Sequence, residues 1–128
     1  MIIHHCHLDS NMESALTGHQ VTWDQFIDIG VRIFTLFRAD NIQRMGKKDM
    51  RRNHDLFPER MFDHPGFKDA KPFTKGTNRM DRADMELAKD MLYEELGWDK
   101  NTGDPTRQTY EKLGLKDVAD KLQRMNLL

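Results

Sequence analysis

The sequence has very little cysteine and no excess of either charge. Cys6 is the only cysteine, and one thiol cannot form a disulfide within the chain, so we predict a protein of the reducing cytoplasm. The 20 basic and 21 acidic residues nearly cancel, which leaves no general attraction to nucleic acid or to an anionic membrane. The composition therefore argues against both of these partners.

Long apolar runs and familiar catalytic motifs are also missing. No run approaches the roughly 18 residues of a membrane span, and the N-terminus lacks the basic and long apolar segments of a signal peptide. A nucleophile elbow, a P-loop, a G-x-G-x-x-G loop and an H-E-x-x-H helix are all absent. We therefore predict no catalytic and no cofactor-binding residue in this chain, which we expect to hold no cofactor by itself.

What is present predicts helices. The spacing of N-cap residues, glycines and prolines favours an irregular all-α domain of about four to five helices. Residues 1–8 are predicted to be a flexible N-terminus. A first short helix is predicted from Asp9 or Ser10 to Thr17, with Gly18 as its C′ residue.

The second helix has the clearest signals. Thr22 and Gln25 form a capping box at its start, and Gly46 offers a stop. On a helical wheel its apolar side chains spread over roughly 220°, whereas a surface helix needs a stripe of little more than about 100°. We therefore expect the helix Trp23–Met45 to need cover on more than one side, which is more than so short a chain can supply. The apolar residues are Phe26, Ile27, Ile29, Ile33, Phe34, Leu36, Phe37, Ile42 and Met45.

Between the second and third helices, residues 47–80 are predicted to be a long irregular loop within a single domain that spans residues 1–128. Three prolines and two glycines rule out a long helix there, and only a short turn is predicted, at Pro58–Phe62. So long a loop is unusual in a self-contained domain, and it is more often functional or packed against another body.

Regular structure is predicted to resume at Asp81, an N-cap candidate. This helix is predicted to end at Gly97, with Trp98 folded back as the apolar partner of its last turn. Its predicted apolar face consists of Leu87, Ala88, Met91, Leu92 and Leu96.

The end of the chain predicts two further helices. Asp104 is predicted to cap the first of them, with Pro105 at its first position and Gly114 at its end. The last helix is predicted from about Lys116 to Met125, with a narrow apolar stripe.

The run His4-His5-Cys6-His7 offers imidazole and thiolate ligands for zinc, copper or iron. Neighbours in sequence cannot easily converge on one ion, because known sites combine ligands a few residues apart with a distant second pair. The alternative is an exposed N-terminus that holds no metal. Cys6 could still be one ligand of a cluster shared with another part of a larger protein, since iron–sulfur clusters usually take four thiolates.

A basic stretch near the end of the second helix raises the question of nucleic-acid binding. No aromatic residue is interleaved for base stacking and no recognition motif surrounds it, so we predict a solvated loop or a patch that pairs with an acidic partner surface. The basic residues are Arg44, Lys47, Lys48, Arg51 and Arg52.

Two carboxylates further along the chain, Asp55 and Glu59, are predicted to be ordinary surface charges.

Several short segments follow one another in a distinctive order. The most specific is Gly97-Trp98-Asp99 with Gly103-Asp104-Pro105-Thr106 after it. The others are Ala15–Gly18, Ile29–Arg38, Asp55–Arg60, Met91–Tyr93 and Leu113–Ala119. The whole series, from about Ala15 to Leu122, resembles the C-terminal helical domain of the tungsten- or molybdenum-dependent aldehyde ferredoxin oxidoreductase family.

The resemblance implies an enzyme that oxidises aldehydes to carboxylic acids and passes electrons through a [4Fe–4S] cluster to ferredoxin. In such enzymes two pterin dithiolenes hold the tungsten or molybdenum, and an N-terminal domain supplies much of that site. Three cluster cysteines lie in the middle of the family's chain, and a fourth ends an Asp-x-x-Gly-Leu-Cys motif. The helical C-terminal part packs over the cofactor and helps to shape the substrate channel.

This sequence departs from the family pattern in the parts that hold the cofactors. The N-terminal domain and the three middle cysteines are not in this sequence. Cys6 lies near the position of the fourth cysteine, and it is the one residue that the resemblance marks as a metal ligand. The motif around it differs, since Met1 stands where the family has aspartate and His4-His5 replace Gly-Leu.

We therefore predict the helical C-terminal part of such an oxidoreductase, which covers the cofactor site of a partner or of a missing domain and is not catalytic alone. For the complete enzyme, the resemblance implies a tungsten or molybdenum bis-pterin cofactor, a [4Fe–4S] cluster and ferredoxin as electron acceptor. The alternative is a non-enzymatic interaction module, or a gene remnant, that self-associates through its second helix.

Overall fold

The computed structural model describes residues 3–63 and 81–128, and these residues form seven helices and no strand. The all-α class predicted from the sequence is confirmed. Two of the helices are only four residues long and lie in the segment predicted to be irregular, of which residues 64–80 fall outside the described part. The helices are α1 (Ile3–Thr17), α2 (Trp23–Met45), α3 (Met50–Asn53), α4 (Arg60–Asp63), α5 (Arg82–Leu96), α6 (Arg107–Lys112) and α7 (Lys116–Arg124).

The chain divides into two compact units, Met1–Phe37 and Arg38–Leu128, which we call the first and the second unit. α2 contributes to both. Its longer N-terminal part belongs to the first unit, and its last two turns belong to the second.

In the first unit, α1 ends where the sequence predicts. Gly18 has a φ of +73°, and its amide donates to the carbonyl of Ser14 at 3.0 Å. The Ser14 hydroxyl accepts from the amide of Val21 at 2.9 Å. The last turn of α1 is therefore tied to the short connection that leads into α2.

The start of α1 differs from the prediction. The helix begins at Ile3 and not at Asp9 or Ser10. No proline or glycine lies between these positions, so nothing in the sequence interrupts a helix there. The flexibility predicted for residues 1–8 stays a prediction.

Both ends of α2 are as predicted. The Thr22 amide donates to Oε1 of Gln25 at 2.9 Å, and the Gln25 amide donates to Oγ1 of Thr22 at 3.3 Å. This is a complete capping box. At the other end Gly46 has a φ of +61°, and its amide donates to the carbonyl of Ile42 at 2.9 Å.

The core of the second unit is built around α6 and α7, which pack against each other. Gly114, with a φ of +69°, ends α6 as predicted, and α7 begins at Lys116 as predicted. The end of α2 and the start of α3 complete this core. Its buried members are Ala39, Ile42, Met50, Tyr110, Leu115, Ala119, Leu122 and Leu127.

The caps of α5 are also as predicted. The Asp81 carboxylate accepts from the amide of Ala83 at 3.0 Å. Gly97 has a φ of +69°, and the Trp98 amide donates back to the carbonyl of Tyr93 at 2.7 Å. The indole of Trp98 stacks on the ring of Tyr93 with centroids 6.2 Å apart, so the helix ends in a Schellman motif with its apolar contact.

The buried face of α5 is not the apolar face that the sequence predicts. Of the residues on the predicted face, Leu87, Met91 and Leu92 are exposed, whereas Leu96 is buried. Tyr93 is buried instead. The helix turns this side inward because the Tyr93 ring stacks on an indole and its hydroxyl finds a half-buried acceptor, which outweighs an aliphatic stripe.

Asp104 does not cap α6, and that prediction was wrong. The N-cap of α6 is Thr106, whose hydroxyl accepts from the amide of Thr109 at 3.2 Å. The Asp104 carboxylate accepts instead from the amides of Asp49 and Met50, at 2.7 and 3.1 Å. Thr106 satisfies α6 locally, whereas the first amides of α3 need an acceptor from a distant part of the chain.

Replacing Asp104 with alanine is expected to lower the free energy of unfolding by about 1–2 kcal/mol, the usual cost of losing a helix cap. Two amides at the start of α3 would lose their acceptor. Asp104→Asn keeps one acceptor oxygen and should cost less than alanine. Urea denaturation followed by circular dichroism measures both variants, and an alanine variant as stable as wild type would contradict this long-range cap.

Candidate functional site

A half-buried carboxylate, Asp55, joins the end of α2 to α5 within the second unit. The Arg38 guanidinium makes two parallel hydrogen bonds to it, Nη1 to Oδ1 at 2.9 Å and Nη2 to Oδ2 at 2.7 Å. The Tyr93 hydroxyl donates to Oδ2 at 2.6 Å. Nδ1 of His54 lies 3.0 Å from Oδ1. The side chains of Arg38 and Asp55 are only 10% and 16% exposed, so this bidentate pair is largely shielded from water.

The electrostatics of this cluster keep Asp55 ionised and Tyr93 neutral. Burial alone would raise the pKa of the Asp55 carboxyl, but the hydrogen bonds from Arg38, Tyr93 and His54 together lower it. Burial, and then the adjacent carboxylate, raise the pKa of the Tyr93 hydroxyl. Because donor and acceptor are fixed in these states near neutral pH, the cluster is suited to hold the fold and not to move a proton.

The prediction that Asp55 is an ordinary surface charge was therefore wrong. Glu59 does match that prediction, since it is exposed and pairs with Arg82. The sequence carried little warning of the difference, because the partners of Asp55 that bury it, Arg38 and Tyr93, lie 17 and 38 residues away.

Two arginines hold the aromatic pair of Tyr93 and Trp98. The guanidinium carbon of Arg38 lies 4.7 Å from the centroid of the Trp98 ring, and that of Arg51 lies 5.7 Å from the centroid of the Tyr93 ring. Both distances fall within the range of a cation–π interaction. The Arg38 side chain thus connects the end of α2 with Asp55 and with the C-terminus of α5.

The basic stretch is largely neutralised by groups of this chain. Arg51 pairs with Glu86 at 2.6 Å and with Asp90 at 2.5 Å, both on α5. Arg44 pairs with Asp40, one turn earlier in α2. Arg52 pairs with Asp49, and Lys48 donates to the main-chain oxygen of Leu128. Most of these cations therefore pair with groups of this chain, and pairing with an acidic partner surface stays a prediction.

A cavity of about 280 Å³ lies beside Asp55. Its cations are paired with neighbouring carboxylates, Arg82 with Glu59 and Lys89 with Glu86. The cavity therefore combines apolar walls with charges that are already neutralised. It is lined by Asp55, Leu56, Phe57, Glu59, Phe62, Arg82, Met85, Glu86 and Lys89.

The predicted metal ligand Cys6 belongs to helix α1, as do the neighbouring residues His4, His5 and His7. Their side chains fall outside the described part, so a metal-binding role of Cys6 stays a prediction. Among the side chains that the structure does describe, no three histidine, cysteine, aspartate or glutamate residues are grouped so as to hold a metal ion.

The first unit presents an unusually apolar surface along α2. Ile29 and Ile33 are 48% and 47% exposed, and Phe34 and Phe37 are 60% and 67% exposed. We call these four residues the α2 apolar face. Contiguous exposed apolar side chains of this size are typical of an interaction site. The exposure of these four side chains agrees with the prediction that this helix needs more cover than the described part of the chain provides.

No helix in residues 3–63 or 81–128 has the length and hydrophobicity that are needed to cross a membrane. The helix that carries the α2 apolar face also has charged residues, such as Asp28 and Arg32, on its other side.

Comparison with known proteins identifies the family. The family model described as aldehyde ferredoxin oxidoreductase, domains 2 and 3, matches residues 4–115. No solved structure matches the chain. The family match includes the segments from Ala15 to Leu115 on which the resemblance in the sequence rests, and it confirms that resemblance. Because it covers most of the 128 residues, the chain belongs to the aldehyde ferredoxin oxidoreductase family, in the part that comprises domains 2 and 3.

Proposed function

We propose that this chain is the helical C-terminal part of an aldehyde ferredoxin oxidoreductase-like enzyme, and that it covers the cofactor site of a partner or of a missing domain without being catalytic alone. The observation that carries the proposal is the α2 apolar face, on a chain whose family match is to domains 2 and 3. A domain that normally packs against another domain has an apolar surface where the two meet.

The residues of this chain do not fit the cofactors of such an enzyme by themselves. A [4Fe–4S] cluster usually takes four thiolates, and the chain has one cysteine, Cys6. The described side chains form no metal-binding group. In our proposal the tungsten or molybdenum bis-pterin and the cluster therefore belong to the other domain, and Cys6 is the one thiolate that this chain can contribute.

The complete enzyme would oxidise an aldehyde with water to a carboxylic acid and release two protons and two electrons. The electrons would leave through the iron–sulfur cluster to ferredoxin, within a reducing cytoplasm. The share of this chain is to exclude water from one side of the cofactor site and to shape the approach of the substrate. Exclusion of water strengthens the electrostatic interactions at a reacting centre.

The proposal predicts a direct complex between this chain and the cofactor-bearing domain from the same organism, each produced as a separate polypeptide. We expect isothermal titration calorimetry to show binding of one copy of each. Replacing both Phe34 and Phe37 with serine should weaken that binding at least tenfold, because two exposed rings would no longer be buried on association. The melting temperature of the chain alone should change little, since neither ring is buried in it.

Leu16→Ser is the control for this experiment. Leu16 is 80% exposed on α1, outside the α2 apolar face, so its loss should leave binding as it is in wild type. A chain that binds no cofactor-bearing domain, and instead forms a stable homodimer through α2, would contradict the proposal and support the self-associating interaction module. Tungsten, molybdenum or an iron–sulfur cluster bound tightly to the pure chain would contradict it as well.

A further inference from the structure

Gly30 lies in the middle of the α2 apolar face. Residues Gly30, Ile33, Phe34 and Phe37 are spaced i, i+3, i+4 and i+7, and on a helix such a set surrounds one shallow depression. Helices that pack closely insert one side chain into a depression of this kind. Because Gly30 has no side chain, this depression is deeper and wider at one corner than the others along the helix.

The fold of the chain gives no reason for a glycine at this position. Each of the other described glycines has a positive φ, which favours glycine, whereas Gly30 has helical backbone geometry. A Cβ atom at Gly30 would meet nothing within 4 Å. Glycine also destabilises the interior of a helix relative to alanine. The chain on its own would therefore be more stable with alanine here.

The surroundings of Gly30 indicate the chemistry of whatever contacts it. The charged residues of this part of α2 are Asp24, Asp28 and Arg32, and at 3.6 residues per turn all of them point at least roughly 120° away from Gly30. The depression is thus walled by aromatic and aliphatic groups, without a charged rim. It suits a bulky apolar side chain and offers nothing to a charged one.

We propose that this depression is the contact point for a bulky apolar side chain of the cofactor-bearing domain, and that Gly30 lets that domain approach α2 closely. The inference rests on the proposed function, because it takes the cofactor-bearing domain as the occupant. What favours this occupant over others is that the matching family model describes domains 2 and 3, which implies a further domain, while the exposed apolar surface lies within the matched residues.

Two substitutions at Gly30 test the inference, and both the stability of the chain and its binding to the cofactor-bearing domain are measured. Gly30→Ala should raise the melting temperature of the chain alone by about 3 °C, because alanine is the better helix former. The same change should weaken binding to the separately produced cofactor-bearing domain about threefold in calorimetry, and Gly30→Leu should weaken it at least tenfold. A glycine needed only for the fold of this chain would instead lower the melting temperature when replaced.

Arg32→Leu is the matched control, since it introduces the same side chain on the opposite side of α2. It should leave binding unchanged. If Gly30→Leu binds as tightly as wild type, the inference is overturned while the proposed function stands. If the wild-type chain does not bind the cofactor-bearing domain, both are overturned. If Gly30→Leu disrupts a homodimer of the chain alone, the occupant is a second copy and the inference is again overturned.

Discussion

Asp55→Asn is expected to lower the free energy of unfolding by about 3 kcal/mol or more. The substitution leaves the buried guanidinium of Arg38 without a charged partner. It also weakens the acceptor for the Tyr93 hydroxyl. Removing one member of a buried ion pair costs far more than the net contribution of the pair, because the remaining charge stays desolvated. Urea denaturation followed by circular dichroism measures the loss.

Other variants show whether the loss of stability comes from the ion pair of Arg38 and Asp55 or would follow from any similar substitution. Asp28→Asn on the exposed polar side of α2 is the control, and it should change the free energy of unfolding by no more than about 0.5 kcal/mol. Arg38→Met should cost about as much as Asp55→Asn, whereas the double variant should cost less than the sum of the two. Additive effects would show that the two side chains do not stabilise each other.

The pH dependence of the same comparison follows from the lowered pKa of Asp55. A carboxyl whose pKa is lower in the folded state contributes stability above its unfolded pKa of about 3.9. That contribution is lost as the pH falls through the folded-state pKa. The difference in unfolding free energy between wild type and Asp55→Asn should therefore shrink as the pH falls below about pH 4.

The two halves of α2 have different tasks. Its last two turns are fixed in the second unit, because Ala39 and Ile42 are buried in the core and Arg38 is bound to Asp55. Its first part, in the first unit, presents the α2 apolar face. A wide apolar circumference on a helix can thus reflect one buried surface and one exposed surface, arranged along its length.

The caps of the helices could be predicted from the sequence because their partners are local. The capping box of Thr22 and Gln25, the N-cap Asp81 and the C′ glycine Gly97 each depend on residues no more than four positions away. Local hydrogen bonds of this kind need no knowledge of the fold. The excess of apolar surface on α2 could also be predicted, since it depends only on helical periodicity.

The features that could not be predicted all depend on distant partners. Asp104 stands before a proline and resembles an N-cap, yet its amide partners lie more than 50 residues earlier in the chain. Asp55 has no local pattern that marks it as buried. The orientation of α5 is set by Tyr93, whose hydroxyl partner is 38 residues away. Periodicity favoured the aliphatic stripe of α5 because it cannot take such long-range hydrogen bonds into account.

The second unit also has an exposed apolar surface, which lies on α5. Leu87, Met91 and Leu92 remain exposed although they form the most regular apolar pattern of that helix. Together with the α2 apolar face, each unit therefore carries exposed aliphatic or aromatic side chains on a long helix. That is the pattern expected of a domain from a larger assembly and not of an independent protein.

Gly103→Ala is expected to destabilise the chain by about 3 kcal/mol, from two separate causes. Gly103 has a φ of +69°, where a side chain is strained. In addition, a Cβ atom there would lie 2.9 Å from Cζ and Oη of Tyr93 and 3.2 Å from the amide nitrogen of Arg51. The ring of Tyr93 would have to shift, and its hydrogen bond to Asp55 would be lost or lengthened. Thermal and urea denaturation measure the loss of stability.

Gly114→Ala provides a control in which only the backbone strain is present. Gly114 has the same φ of +69°, but a Cβ atom there would meet nothing within 4 Å. We therefore expect Gly114→Ala to cost about 1 kcal/mol, the strain of a left-handed alanine. The difference between the two variants then measures how tightly Gly103 packs against Tyr93. Equal losses of stability would mean that the Tyr93 ring moves aside freely, and that the cluster around Asp55 is less rigid than its hydrogen bonds indicate.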